Sequence, residues 1–364
     1  MKLHLYFARR FATTFLGIFA VFAGLLALMD TVEQMRRFEG DDIGVGGALR
    51  LALLAMPESL YGMLPLVVIL ATLALFLGLA RTSELVVIRG AGRSAMRALI
   101  APVLTAMVIG ALGITVMNPI VAATKQQYEL HAEALSGDGG QVLSVSREGL
   151  WLRQGGPEGQ TVIRAARANL DGTELYGVTF LAFGPEGHPA TRTEAKTARL
   201  GLDGWTLTDA KTWPLDAANP ERAAELVEVL DVPSTLTGDQ IRDSFGDPSS
   251  IPIWELPAFI ANLNDAGFSA RSHRIWFQTE LAMPLFLAAM VLIGAGFTMR
   301  HTRFGRTGLM VLFALLLGFG AFFIRNFANV LGENGQIPVA LAVWAPPSAA
   351  VLLALGLIFH MEDG

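Results

Sequence analysis

The sequence predicts an α-helical membrane protein with six transmembrane helices, three on each side of an inserted all-β domain. Three observations carry this. Six apolar runs stand at residues 11–29, 61–80, 98–117, 275–298, 308–330 and 339–360, each near the ~20 residues a helix needs to cross a bilayer. One long polar stretch, 118–274, separates the third run from the fourth, and within it apolar periodicity gives way to alternation and turns. Charged residues make up 16% of the 364-residue chain, against roughly 25% in soluble domains, and the deficit is concentrated in the six runs. The expected modules are residues 1–117, 118–274 and 275–364.

The first run follows Lys2, His4, Arg9 and Arg10, and positive charge just before a first span places the N-terminus in the cytoplasm. The run is too long for a cleaved signal, and Leu28-Met29-Asp30 is a poor cleavage site. It leaves the bilayer as Asp30-Thr-Val-Glu-Gln-Met-Arg-Arg37. Arg36 and Arg37 then sit at the outer boundary. They read either as interfacial anchors balanced by nearby acids or as an anion contact, since arginine binds phosphate by bidentate charge-assisted hydrogen bonds. Pro57 and Pro65 predict a weakened or kinked helix near the outer half of the second span.

The loop 81–97 carries Arg81, Arg89, Arg93 and Arg97 against Glu84, and the loop 300–306 carries Arg300, Arg303 and Arg306 with no acid. Both short basic loops fall on the cytoplasmic side by the same rule. Both termini are therefore expected in the cytoplasm and the insert outside it. Within the first loop, Thr82 or Ser83 caps a short helix with Glu84 in its first turn, where a carboxylate suits the helix dipole. Leu85, Val86 and Ile88 give it an apolar face, and Gly90 and Gly92 end it. Such a helix fits a groove on a partner, with Glu84 meeting a base there, or lies on the membrane surface. Gly90-Ala-Gly92 is only a fragment of a dinucleotide fingerprint and lacks the preceding strand.

The insert opens with Asn118-Pro119, read as a helix end, and a polar helical stretch through Glu133. Strand signals follow at 141–152, 161–170, 175–183, 191–200, 205–213 and 224–232, separated in most cases by Gly, Pro, Asp or Asn. Short strands at this spacing suggest an antiparallel sandwich or open barrel, whose inner face is a closed core or a slot for acyl chains. A short amphipathic helix is expected at 253–263. Arg271, His273 and Arg274 lead into the fourth span. Glu280 lies just inside it, where an acid is a functional candidate or a partner for Arg274 or Arg325. Arg325, near the outer end of the fifth span, is placed to snorkel to the headgroups.

Composition excludes several classes. Net charge is −5 and mean hydropathy is +0.48, so no general basic field points to nucleic acid. The chain has no cysteine, which removes thiol catalysis, thiolate metal sites and disulfides. His131 and His188 are isolated, no Gly-x-Ser-x-Gly elbow occurs, and paired carboxylates such as Asp203 and Asp209 read as solvated surface groups. No catalytic residue, metal site or cofactor is expected.

Laid out whole, the chain resembles the LptF/LptG (YjgP/YjgQ) family of lipopolysaccharide export permeases. The local matches are Arg81-Thr-Ser-Glu-Leu-Val-Val-Ile-Arg-Gly-Ala-Gly92, the basic loop with Arg303-Phe-Gly-Arg306, and Leu331-Gly-Glu-Asn-Gly-Gln-Ile-Pro-Val339 followed by Trp344-Ala-Pro-Pro347. The exit of the first span is more like the LptG branch than the LptF branch. The resemblance implies a permease subunit of an ABC transporter in the inner membrane. Such a subunit pairs with an LptF-like paralogue on an LptB-like ATPase dimer. It passes lipopolysaccharide through a periplasmic β-jellyroll toward LptC-like and LptA-like bridge proteins. The resemblance makes Ser83, Glu84, Leu85, Ile88 and Arg89 the ATPase-coupling segment. Arg36 and Arg37 match positions that contact lipid A phosphates, with Arg274 and Arg325 as further headgroup candidates. Asp30 stands where LptG carries another base.

Without a Walker motif the chain cannot bind ATP in the P-loop manner, so work must come from a partner. Extraction needs it, because each acyl CH₂ moved into water costs roughly 0.8 kcal/mol. Two other classes compete: a non-transporting scaffold or receptor whose β-domain binds a periplasmic partner, and an ion-coupled transporter using Glu280 and Arg325, for which the halves show no clear repeat.

Overall fold

A computed structural model describes residues 2–38, 44–82, 84, 95–136, 144–146, 149–156, 159–169, 172–184, 188–201, 204–234, 247–265, 269–299 and 307–362. The chain divides into two compact units. The first is Met1–Leu135, Ser249–Ile253 and Arg274–Gly364; the second is Ser136–Pro248 and Trp254–His273.

The first unit holds α1 (Lys2–Arg37), α2 (Val45–Gly62), α3 (Leu64–Arg81), α4 (Ala95–Leu112), α5 (Asn118–Ser136), α7 (Arg271–Thr298, from Arg274 onward), α8 (Thr307–Glu333) and α9 (Val339–Glu362). Among the described residues, six helices are long and apolar enough to cross a membrane: Leu3–Arg37, Leu64–Arg81, Met96–Ala132, Arg271–Thr298, Thr307–Glu333 and Val339–His360. They coincide with the six apolar runs. The spans differ in where their apolar faces go. In α7, 78% of the most apolar window is buried, against 11% in both α1 and α8. So α7 is the packed centre, and α1 and α8 leave most of their apolar surface outside the fold.

The centre is built on close helix approach, as expected where dispersion rather than water expulsion joins helices. A Cβ on Gly110 of α4 would stand 2.7 Å from the Pro284 Cα of α7, and one on Gly294 of α7 would stand 2.9 Å from Thr72 Cγ2 of α3. Phe7, Phe11, Leu75, Phe76, Leu79, Leu99 and Phe286 are buried around this contact.

Two helices depart from the sequence reading. The second run does not begin as a new helix at residue 61. An additional helix, α2, precedes it and stops at Met63, whose N–H donates to the carbonyls of Ser59 and Leu60, both at 3.2 Å. Pro65 falls in the first turn of α3, where a missing N–H costs nothing, so the expected kink is a full break two residues earlier. At Asn118-Pro119 the helix does not end. It widens into a π-helical turn over Gly113–Met117 and continues as α5. The wider turn absorbs the hydrogen bond that proline cannot make.

The short return segment Ser249–Ile253 belongs to this unit. Lys125 Nζ of α5 lies 2.6 Å from both Glu58 Oε1 of α2 and Ser249 Oγ. Gln126 Nε2 donates to the Ser250 carbonyl at 2.8 Å. The Ile253 N–H donates to Asn118 Oδ1 at 3.0 Å.

The second unit is an all-β domain with one helix. Seven antiparallel strands pair in chain order: β1 (Ser144–Ser146), β2 (Gly149–Gly156), β3 (Gly159–Ala168), β4 (Glu174–Phe183), β5 (Pro189–Leu200), β6 (Gly204–Pro214) and β7 (Glu225–Pro233). One face carries Leu150, Ile163, Leu175, Phe180, Trp205 and Leu207, and Leu263 of α6 (Leu256–Asp265) is buried with them. Trp205 is fully buried and meets Phe180 edge-on at 6.2 Å. Alternation slips once in each of four neighbouring strands. Buried positions step by three from Ala165 to Ala168, Leu175 to Val178, Ala195 to Ala198, and Leu207 to Ala210. Within these steps Gly177 and Asp209 have φ of 60° and 54°. The strand register is unchanged across these steps, so the four strands change phase together and keep one face apolar.

Candidate functional site

Three clusters in the first unit hold the polar side chains that a span would not otherwise carry. The first lies where α1 begins and α3 ends. Arg10 Nη1 reaches both Glu84 carboxylate oxygens, at 2.9 and 3.1 Å. Tyr6, one turn before Arg10, donates to Glu84 Oε2 at 2.9 Å, and Thr82 donates to Oε1 at 2.8 Å. Arg10 also donates to the Tyr6 hydroxyl and lies 5.7 Å from its ring centre. Burial alone would raise the Glu84 carboxyl, but the bonds from Arg10, Thr82 and Tyr6 hold it below the usual carboxylate range. Of the expected coupling residues, Glu84 is therefore engaged within its own chain. Ser83, Leu85, Ile88 and Arg89 lie outside the described residues, as does the loop 300–306.

The second cluster is the far end of α1. Arg36 and Arg37 occupy its last turn, where cations complement the helix dipole, and both are exposed. Arg37 Nη1 donates to the Tyr128 hydroxyl of α5 at 3.1 Å, and Tyr128 donates to the buried Gln34 Oε1 at 3.2 Å. The Asp30 Oδ2 atom, two turns before Arg37, is buried with no hydrogen bond among the described residues.

The third cluster is inside the bundle. Glu280 is 1% exposed. It accepts a short hydrogen bond from Tyr61 and one of 3.4 Å from Asn118 Nδ2. The sequence marks Glu280 as an intramembrane acid; it does not mark Tyr61 and Asn118, which come from the end of α2 and from the residue just past the π turn. Gly113 in that turn leaves room for the Tyr61 ring, whose Cε2 would be 3.3 Å from a Cβ there. The expected ion pairing of Glu280 with Arg274 is replaced by these two neutral donors. Arg325 acts on Glu280 as a nearby charge. Its guanidinium lies 4.7 Å over the Phe286 ring, with Nη1 3.9 Å from Met283 Sδ. One turn further on, Asn329 Nδ2 donates to Thr279 Oγ1 at 3.2 Å. Arg325 thus lies in the α7–α8 seam, while Arg274 is exposed in the first turn of α7.

Between the start of α3 and α8, Met63, Pro65, Ile69, Gly318 and Phe322, with Met290 of α7, help line an apolar cleft of ≈ 160 Å³. The structure sets Glu280 against Tyr61 and Asn118 and Arg325 against Phe286 and Met283, and leaves Arg36 and Arg37 exposed at the end of α1. The arrangement sets bases at the end of a span and an apolar cleft between helices, a pairing suited to an amphiphile.

The family model described as lipopolysaccharide export system permease LptF/LptG matches residues 5–360. The lipopolysaccharide export system permease protein LptG of Escherichia coli K12 is 23% identical over 358 residues, 98% of this chain and 97% of its own length. LptG of Haemophilus influenzae is 24% identical over 352 residues, 93% of each chain. The match runs through all six candidate spans and the inserted sheet, and the chain belongs to the LptF/LptG family of lipopolysaccharide export permeases.

Proposed function

We propose that this chain is a permease subunit of an ABC transporter. It extracts lipopolysaccharide from the inner membrane and passes it through its β-domain toward the outer membrane. The observation that carries the reading is the family match over residues 5–360. The exposed Arg36–Arg37 pair at the end of α1 adds phosphate-binding chemistry where a headgroup would meet the span. Both termini lie in the cytoplasm and the sheet in the periplasm, as the basic loops 81–97 and 300–306 require. Residues 1–117 and 275–364 form the membrane halves, and 118–274 form the periplasmic module with its flanking helical segments.

The work comes from an LptB-like ATPase dimer docked on Ser83, Glu84, Leu85, Ile88 and Arg89. An LptF-like paralogue closes the cavity. The open apolar faces of α1 and α8 give it a surface, since apolar area of this extent needs lipid or protein against it. LptC-like and LptA-like proteins receive the lipid. Arg36, Arg37 and Arg274 are the accessible headgroup contacts; Arg325 joins them only when it leaves the Phe286 ring.

The test is copurification of a tagged chain from its native membrane at native level. An ATPase and a second six-span subunit should stay bound, and lipopolysaccharide carrying a photoreactive group should crosslink near Arg36. A chain that purifies alone, or only with periplasmic proteins, overturns the transporter and leaves a membrane scaffold.

A further inference from the structure

Glu84 is the one described residue of the segment that follows α3, and its carboxylate is already fully used. An ionised carboxylate offers about four acceptor sites. Here Oε1 takes Arg10 and Thr82, and Oε2 takes Arg10 and Tyr6. A base on another protein would have to displace Arg10 rather than fill a vacancy.

Arg10 is itself placed with care. Its side chain is 31% exposed, and it lies over the ring of the residue one turn before it. Its Nη2 passes 3.7 Å from the point where a Cβ on Gly78 would stand. A Cβ there would be in ordinary van der Waals contact with the guanidinium, whereas a longer side chain would compete for its place. An isolated exposed ion pair is worth little. Three donors on one half-covered carboxylate, with the guanidinium lying over an aromatic ring, make a directed joint.

We propose that Arg10 and Tyr6 are positioning residues for energy coupling: they fasten Glu84 to the first span. The proposal rests on the permease reading above. Under it, α1 is the member through which the ATPase acts. α1 is one uninterrupted helix of 36 residues, about 1.5 Å of rise per residue. It joins Glu84 at one end to the exposed Arg36–Arg37 pair at the other. A displacement of Glu84 is delivered along α1 to the end where the headgroup is held.

A double-mutant cycle on the assembled transporter in proteoliposomes tests this, read as lipopolysaccharide released per ATP hydrolysed. Arg10→Ala and Glu84→Ala are each expected to lower that ratio by roughly three- to tenfold, with the double variant no lower than either alone. Exchanging the charges, Arg10→Glu with Glu84→Arg, should recover part of the loss. Where Arg10→Ala fails to accumulate, Gly78→Leu displaces the guanidinium with both charges kept and should give the same uncoupling. Additive losses, with an exchange no better than Glu84→Arg alone, overturn the proposal while the permease reading stands. A wild-type chain that holds no ATPase overturns both.

Discussion

Replacing Tyr61 by Phe removes one hydroxyl and leaves the ring in its place beside Gly113. That hydroxyl is the closer of the two side-chain donors to Glu280; the other, Asn118 Nδ2, is at 3.4 Å, beyond the usual hydrogen-bond range. Glu280 is 1% exposed, so water cannot take the vacated position. Deleting a bond to a buried charged group costs about 1.5–3 kcal/mol, and we expect Tyr61→Phe to lose that much. Tyr61→Ala should lose more, because emptying the ring site adds about 3–5 kcal/mol of lost packing. In a Glu280→Gln background the phenol meets a neutral acceptor, and the same Tyr61→Phe change should cost only about 0.5–1.5 kcal/mol. Reversible unfolding in mixed micelles, followed by tryptophan fluorescence, measures all four variants. Equal Tyr61→Phe losses with Glu280 and with Gln at that position would refute the reasoning, because the hydroxyl would then not be serving the carboxylate.

Three further outcomes are expected. Gly110→Ala sets a Cβ 2.7 Å from the Pro284 Cα, a backbone atom that cannot rotate away. The α4–α7 contact should open at a cost of about 1–3 kcal/mol, seen as a lowered unfolding midpoint. Trp205→Ala empties the fully buried centre of the sheet and should cost about 3–5 kcal/mol, appearing as rapid proteolysis confined to residues 144–234. The Glu84 carboxyl is depressed below its ordinary value of 4.5, so its contribution is complete above that value and is lost only as pH falls through the lower, folded one. Lipopolysaccharide released per ATP should therefore show no Glu84-dependent change from about pH 6 to 8, well above the ordinary carboxylate range; a decline between those limits that disappears in Glu84→Gln would contradict a depressed carboxyl.

Much of the architecture was legible because membrane spans and half-buried strands write their periods into the chain. The six apolar runs reappear as the six candidate spans. The strand signals from residue 161 onward fall within two residues of β3 to β7. The stretch 141–152 reads as one strand, whereas β1 and β2 form a hairpin around 147–148, since Ser-Arg-Glu-Gly offers a weak turn signal between residues that all suit strands. The change of phase across the sheet was hidden for a different reason. A single three-residue step in an alternating pattern looks like noise in one strand; it acquires meaning only when the same step lines up in four paired strands. The buried cluster was half legible. Glu280 stands out as an acid among apolar residues, but Tyr61 and Asn118 are ordinary at a span boundary. Their roles arise from a π turn that a proline-directed reading takes for a helix end. The segment after α3 reads as capped by Thr82 or Ser83, with Glu84 meeting a base on a partner; the structure instead bonds Thr82 and Glu84 to each other and Glu84 to Arg10 of α1, a pairing 74 residues apart in the chain that no local period encodes.

The return of Ser249–Ile253 to α2 and α5 has a consequence for how this protein is made and cut. The sheet lies between α5 and that return, yet α6, which helps cover the sheet, is synthesised only after it. The chain thus re-enters the membrane unit before the inserted unit is finished, and the two cannot mature strictly one after the other. Nor is the insert a removable cassette. Excising residues 136–273 would strip Asn118 and Lys125 of bonds made by Ile253 and Ser249, while a graft of the same stretch would carry five residues that belong to its former host. A chimaera of two such permeases should therefore exchange α2, α5 and residues 249–253 as one set.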